Sequence, residues 1–183
     1  RFPDVSVARM DSDTTRRPGS HERTLSEFRK GTVQILLGTQ MIAKGLDFPN
    51  VLLVGVINAD SGLHFPDFRA AEKTFQLITQ VAGRCGRGNK PGLVLVQTFT
   101  PEHPAIDFAK QHDYTRFAAQ ELAHRQKFAY PPHGSMARII VRGPEQMPAE
   151  EFANSIAKAI HRAKEQLSLG EVRVLGPAPP PMG

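Results

Sequence analysis

The stretch QLITQVAGRCGRG, residues 76–88, sets Gln80, Arg84 and Arg87 at intervals of four and three, with Gly83 and Gly86 between them. Side chains at that spacing stack on one face of a helix, so the three polar groups project together wherever the helix runs through them. An amide beside two guanidiniums suits a polyanion. Each guanidinium is a planar fork of donors that matches phosphate oxygens and stays charged at any working pH. Glycine inside a helix costs about 1 kcal/mol relative to alanine, and two glycines beside the arginines leave room for a bulky group near the backbone. The same pattern also suits a plain basic helix end, closed by Gly86 and Gly88 and complementing the helix dipole.

A second polar group follows an apolar run. GTQMIAKGLDFPNV, residues 38–51, holds Gly38, Thr39, Gln40, Lys44, Gly45 and Asp47 within ten positions. Such a loop offers backbone N–H groups, a hydroxyl and an ammonium to phosphate, and an ordinary strand-to-helix turn capped by Thr39 fits it as well. Asp11 and Asp13 in RMDSDTT could hold a metal, but no His or Glu completes a ligand set there, and turns use aspartates freely. His21, His64, His103, His112, His124, His133 and His161 follow no ligand spacing and read as surface or core residues. Cys85 reads as a small filler between the glycines. The chain carries no G-x-x-x-x-G-K-[ST] loop, no acidic D-E-x-H box and no G-x-S-x-G. Whatever it does with phosphate, it holds half of the machinery.

The elements that must position these groups alternate. Runs rich in β-branched residues at 5–10, 33–39, 51–58 and 92–99 are separated by helical pattern or compact connections, which predicts a parallel sheet. SHERTLSEFRKG starts with Ser20 as N-cap, sets Leu25 and Phe28 on one face and stops at Gly31, as a crossover helix does. Runs 33–39 and 51–58 are almost continuously apolar, which predicts strands buried on both faces in a layered α/β sheet. Ligands meet such sheets at the carboxyl ends of the strands. Ahead of the arginines, Ala71, Phe75, Ile78 and Ala82 form the packing face of a helix. A single amphipathic helix is expected from Pro104 to Phe128, with Phe108, Tyr114, Phe117 and Leu122 as its stripe. YPPHG at 130–134 then breaks the pattern. Beyond it, a strand at 137–143, a helix at 148–167 and a strand at 171–177 would make a β-α-β unit, with a proline-dense end.

The 183 residues, 40% hydrophobic, are enough for a real core, and the net charge of +5 is compatible with an acidic partner such as nucleic acid. One cysteine excludes an internal disulfide framework and a cysteine-cluster zinc site within the chain. No apolar run reaches the roughly 18 residues of a membrane span, no signal peptide is visible, and a cytoplasmic location is expected. Both ends read as cuts through a longer protein.

Order and content together resemble motifs V and VI in the second RecA-like lobe of superfamily 2 helicases, and within them the replication-restart DNA helicases. The likeness rests on GTQMIAKGLDFPNV, NAD, PDFRAAEKTFQLITQVAGRCGRG, GLVLVQTF and PEHPAI, with YPPHGSMARIIVRG and VRVLGPAP at the start of that family's C-terminal domain, so it covers nearly the whole chain. Where the family commonly reads Q-V-A-G-R-A-G-R, this chain has Cys85 for the alanine. The resemblance implies an incomplete second RecA-like lobe, α/β with a parallel sheet, over 1–128, and the beginning of a small α+β domain over 129–183. It implies that Arg84 and Arg87 are arginine fingers for the γ-phosphate of ATP, and that Gln80 orders that phosphate or the attacking water. Gly45, Asp47 and Gly83 would line the nucleotide, and Thr39, Gln40 and Lys44 would face DNA. ATP with Mg2+ would be held mainly by a first lobe absent from this chain, and Zn2+ by a cysteine-rich insertion of the full-length family, with none bound here. Implied partners are forked and single-stranded DNA, single-stranded-DNA-binding protein and other primosome proteins, with no membrane. The expected activity is 3′-to-5′ unwinding that restarts replication at stalled or abandoned forks, with this chain alone inactive. Two other readings stay open: a nucleic-acid or partner-binding module without catalysis, and the second lobe of a RecG-like translocase. FPDFRAAEKTFQL together with YPPHG separates the first reading from the last.

Overall fold

The computed structural model describes residues 3–10, 20–39, 51–83, 85, 91–168 and 170–179. They divide into two compact units, Arg1–Tyr130 and Pro131–Gly183.

In the first unit, β1 (Val7–Met10) pairs in parallel with β2 (Ile35–Gly38), and the crossover between them contains α1 (Ser20–Arg29). β3 (Leu53–Val56) pairs in parallel with β4 (Leu93–Val96) across α2 (Asp60–Leu63) and α3 (Ala70–Ala82). Parallel neighbours need such a crossover, because the chain must return to the same edge before pairing. The fold is therefore α/β with parallel strand pairs, as the alternation predicts. Among the described residues the ladders are two-stranded.

Burial on both faces is not what the strands show. β3 and β4 alternate, with Val54, Val56, Val94 and Val96 half-buried while Leu53, Leu93 and Leu95 are more than half exposed. Helix α3 packs on the inner face of this pair, and the core gathers there, from Ala59, Phe75, Ile78, Ala105, Ile106, Ala109 and Phe117. Phe75 and Phe117 stack with ring centroids 4.2 Å apart, worth about 0.5–1.5 kcal/mol beyond the area they bury. The expected packing face of α3 holds at Phe75 and Ile78, which are buried, and it is completed by Ala70 and Thr74.

The single helix expected over 104–128 is two, α4 (Pro104–Lys110) and α5 (Tyr114–Lys127). His112 turns to φ +54°, and Asp113 then caps α5, its carboxylate accepting from the Arg116 N–H at 2.9 Å. A local side-chain acceptor competing with the helical ladder ends one helix and starts the next. The break rotates the stripe, so Tyr114 and Leu122 are exposed while Ala105, Ile106, Ala109 and Phe117 are buried. His103, expected as an unremarkable histidine, caps α4 by accepting the Ala105 N–H on Nδ1 at 3.1 Å.

The second unit is built on α6 (Gln146–Gln166). Ala149, Ala153, Ile156, Ala157, Ile160 and Ala163 are its half-buried face, and none of its residues is fully buried. The strands expected at 137–143 and 171–177 do not form as strands. A strand exists only with a partner for its backbone groups, and an alternating pattern specifies the face but not the partner.

Candidate functional site

Helix α3 ends sooner than the spacing of its polar residues requires. It stops at Ala82, and Gly83 follows as the C-cap, its N–H donating to the Thr79 carbonyl at 3.0 Å. The expected ridge through residues 80, 84 and 87 is thus not continuous helix: Gln80 sits exposed on the last turn and Gly83 is exposed beyond it. Glycine at the helix terminus releases the backbone from the ladder. Arg84, Gly86 and Arg87 lie outside the described residues.

Cys85 closes the turn. Its N–H donates to the Ala82 carbonyl at 3.2 Å, and its half-buried Sγ lies 3.4 Å from the Leu93 carbonyl and 3.6 Å from that of Val51. Those carbonyls stand where β4 begins and just ahead of β3. The turn after α3 therefore lies at the amino edge of this strand pair, whereas the chain's other polar groups were expected at the carboxyl edge. The two edges are separated by four residues of strand, about 13 Å. An antiparallel return helix makes this unavoidable: α3 starts near the carboxyl ends and must finish at the amino ends to feed β4.

At the carboxyl edge Asp60 is the organising group. It is 8% exposed, and its carboxylate accepts from the hydroxyls of Thr98 and Thr100, both at 2.9 Å, and from the Phe99 N–H at 3.0 Å. Burial pushes its pKa up, and the hydrogen bonds from Phe99, Thr100 and Thr98 more than offset this and hold it below the ordinary aspartate value. Asn58, at φ +60°, accepts the Ser61 N–H on Oδ1 at 3.2 Å and so shapes the start of α2. Gly62 of α2 meets the buried Thr74 hydroxyl of α3, where a Cβ would come within 2.9 Å. Asp60's acceptor capacity is spent on the backbone and hydroxyls of one turn, so its chemistry here is structural and not that of a general base. Phe99, on the turn it holds, is 91% exposed.

At the start of α3, Asp67 accepts from Lys73 Nζ at 2.6 Å and from Arg69 Nε at 3.2 Å. These donors hold its carboxyl far below the usual carboxylate range, with the Arg69 side chain contributing most and Lys73 next.

Of the residues singled out from the sequence, Thr39 is exposed directly after β2, and Gln80 and Gly83 stand together at the end of α3. Gln40, Lys44, Gly45 and Asp47 lie outside the described residues, as do Asp11 and Asp13. Among the described residues no group of three His, Cys, Asp or Glu side chains is gathered as a metal site. Also among them, no helix is long and apolar enough to cross a membrane. Sequence reasoning missed Asp60, Asp67 and the half-buried Arg125. The available signal for Asp60 was an aspartate directly after a strand with Thr-x-Thr after the next one.

Residues 1–89 match the family described as the helicase conserved C-terminal domain, so the parallel α/β unit is a helicase lobe. The likeness then continues past that domain. The chain is 52% identical over 181 residues to the replication restart protein PriA of Bacillus subtilis, covering 99% of this chain and 22% of that protein. It is 47% identical to PriA of Synechocystis, over 97% of this chain and 21% of that protein, and 42% identical to PriA of Haemophilus influenzae, over 98% and 24%. The chain belongs to the PriA family. It spans about a fifth of the length of these curated relatives.

Proposed function

We propose that this chain is the second-lobe part of an ATP-dependent DNA helicase that restarts replication, with residues 1–128 as the lobe and 129–183 as the beginning of a following domain. The observation that carries this reading is the end of α3: an exposed Gln80, a glycine cap, and a chain that turns at Cys85 against the starts of β3 and β4. Arg84 and Arg87 flank that cysteine in sequence and act as the fingers. They stabilise charge developing on the transferred phosphoryl group of a nucleotide held by another lobe. Gln80 orients the phosphate or the attacking water, and Gly45, Asp47 and Gly83 line the nucleotide. Thr39, Gln40 and Lys44 face single-stranded DNA.

The described groups fit one wall of a nucleotide site. Gln80 brings an exposed amide to the end of α3, and Gly83 is exposed beside it. ATP with Mg2+ is therefore held mainly by residues outside this chain, and so is the Zn2+ of the family. Closure of two lobes on ATP and their opening after hydrolysis drive 3′-to-5′ movement along DNA. Forked DNA, single-stranded-DNA-binding protein and the primosome proteins are the partners, and the cytoplasm is the setting. FPDFRAAEKTFQL together with YPPHG favours this reading over a RecG-like lobe.

The test is steady-state ATP turnover by the full-length protein. Arg87→Ala should lower the DNA-stimulated kcat by roughly two orders of magnitude, and Arg87→Lys should recover little, since a point charge cannot reproduce the planar fork. DNA affinity at fixed salt should weaken only slightly. Near-normal turnover in Arg87→Lys, or lost DNA affinity with kcat preserved, would move the arginines to the DNA path or to a plain helix end.

A further inference from the structure

Two stretches that the nucleotide reading leaves without a role meet in the first unit. FPDFRAAEK, residues 65–73, leads into α3, and FAY, residues 128–130, closes the unit. Arg125, in the last turn of α5, joins them. It is 11% exposed, donates to Glu72 of α3 at 2.6 Å and to Glu121 of its own helix at 2.9 Å, and lies 5.1 Å from the centre of the Phe68 ring. Tyr130 stacks on the same Phe68 ring at 5.4 Å. It is brought there by Ala129 at φ +53° and by its own N–H donating to the Arg125 carbonyl at 2.9 Å. A left-handed alanine costs of order 1–2 kcal/mol and persists only where the surroundings over-determine it. Here they do: an ion pair on each side of a largely covered guanidinium, a cation over a ring, and an aromatic stack all converge on the last residues of the unit.

The other end of α3 carries Gln80 and the turn to Cys85. A helix of 13 residues is a stiff rod of about 20 Å, so whatever displaces its carboxyl end displaces Glu72 and the segment it holds. Truncating Arg125 would leave the Glu72 and Glu121 carboxylates without that cation, which keeps the clamp together as one block. We propose that Arg125, Phe68 and Tyr130 are positioning residues that fasten α3 to the chain's exit from the first unit, so that movement of α3 during ATP turnover is passed to the chain beyond Tyr130. This rests on the helicase reading above. Such coupling needs one element that both ends bias, and α3 is that element.

The experiment compares full-length protein with Arg125→Ala, Arg125→Lys, Tyr130→Leu and Tyr130→Phe. It measures ATP turnover on single-stranded DNA and strands separated per ATP on a forked duplex. In Arg125→Ala and Tyr130→Leu, turnover should stay within roughly twofold while strands separated per ATP fall about tenfold. Arg125→Lys should recover little, because an ammonium cannot pair with both carboxylates and cover the ring, and Tyr130→Phe should behave as the unsubstituted protein. If Arg125→Ala does not fold, Tyr130→Leu at the rim of the clamp decides alone. An unchanged yield per ATP in the variants, including one where turnover and separation fall in parallel, overturns the clamp and leaves the helicase reading intact. Unsubstituted protein that shows no DNA-dependent turnover overturns that reading and the clamp with it.

Discussion

The Asp60 carboxylate accepts the Thr98 hydroxyl at 2.9 Å across 38 residues of sequence, tying the start of α2 to the turn that leaves β4. The second oxygen, Oδ2, takes the Phe99 N–H at 3.0 Å. Both exits from the β3–β4 pair are therefore held by one side chain.

Replacing Asp60 by Asn should loosen that turn, because an amide group would face the Phe99 N–H with a donor or turn its oxygen away from the two threonines. Exchange of the Phe99 amide should speed up by roughly tenfold or more, since a lost partner in a buried network exposes the donors it held. Protection of the Phe75 and Ile78 amides should hold. An unchanged Phe99 exchange rate would show that the backbone bond from Ala59 to Gln97 is enough to hold the turn.

Acid sensitivity should fall in two windows, with Asp60 and Asp113 sharing the lower one with Asp67. Asp67 is held well below its ordinary value of 3.8, so its contribution is fully present above that value and is lost as the pH falls below it. His103 is pushed below its ordinary 6.5, by burial first and the nearby His64 next, while Glu121 opposes. As a neutral cap it supports α4 above pH about 6.5, and the unfolded chain gains protons more readily below that. Urea denaturation of the chain should therefore show stability declining from about pH 6.5 downward. His103→Asn, which keeps a cap acceptor without a titrating ring, should flatten that first decline and leave the one below pH 4. A profile unaltered by the substitution would remove His103 from the account.

The 183-residue chain by itself should hydrolyse no ATP above background, with or without DNA. In the function proposed above, Arg84 and Arg87 act on a nucleotide held by another lobe, which this chain does not supply. A colorimetric phosphate assay showing DNA-stimulated turnover by this chain would falsify the assignment of the catalytic nucleotide site to another lobe.

Much of this protein was legible before any coordinates. Local rules suffice where a short window decides the outcome: the alternation of β-branched runs with helical pattern placed β1 to β4, and the Ala71, Phe75, Ile78 spacing placed α3 and its buried face. Motif order led to the helicase family, because a run of residue types at fixed spacing is information the chain carries without folding. Tertiary structure decided what depends on partners distant in sequence. Helix α3 gives out at Ala82 because Gly83 ends it and Cys85 finds the carbonyls of Val51 and Leu93, 34 and 8 residues away. The apolar stretch at 137–143 has strand composition and no strand, since a ladder needs a second backbone beside it. The roles of Arg125 and Ala129 were invisible in sequence for the same reason, and that of Asp60 left only the faint signal of a Thr-x-Thr after the next strand. A buried carboxylate, a largely covered guanidinium and a left-handed alanine are each unfavourable alone, and only the threonines, glutamates and aromatic rings that folding brings against them make them stable.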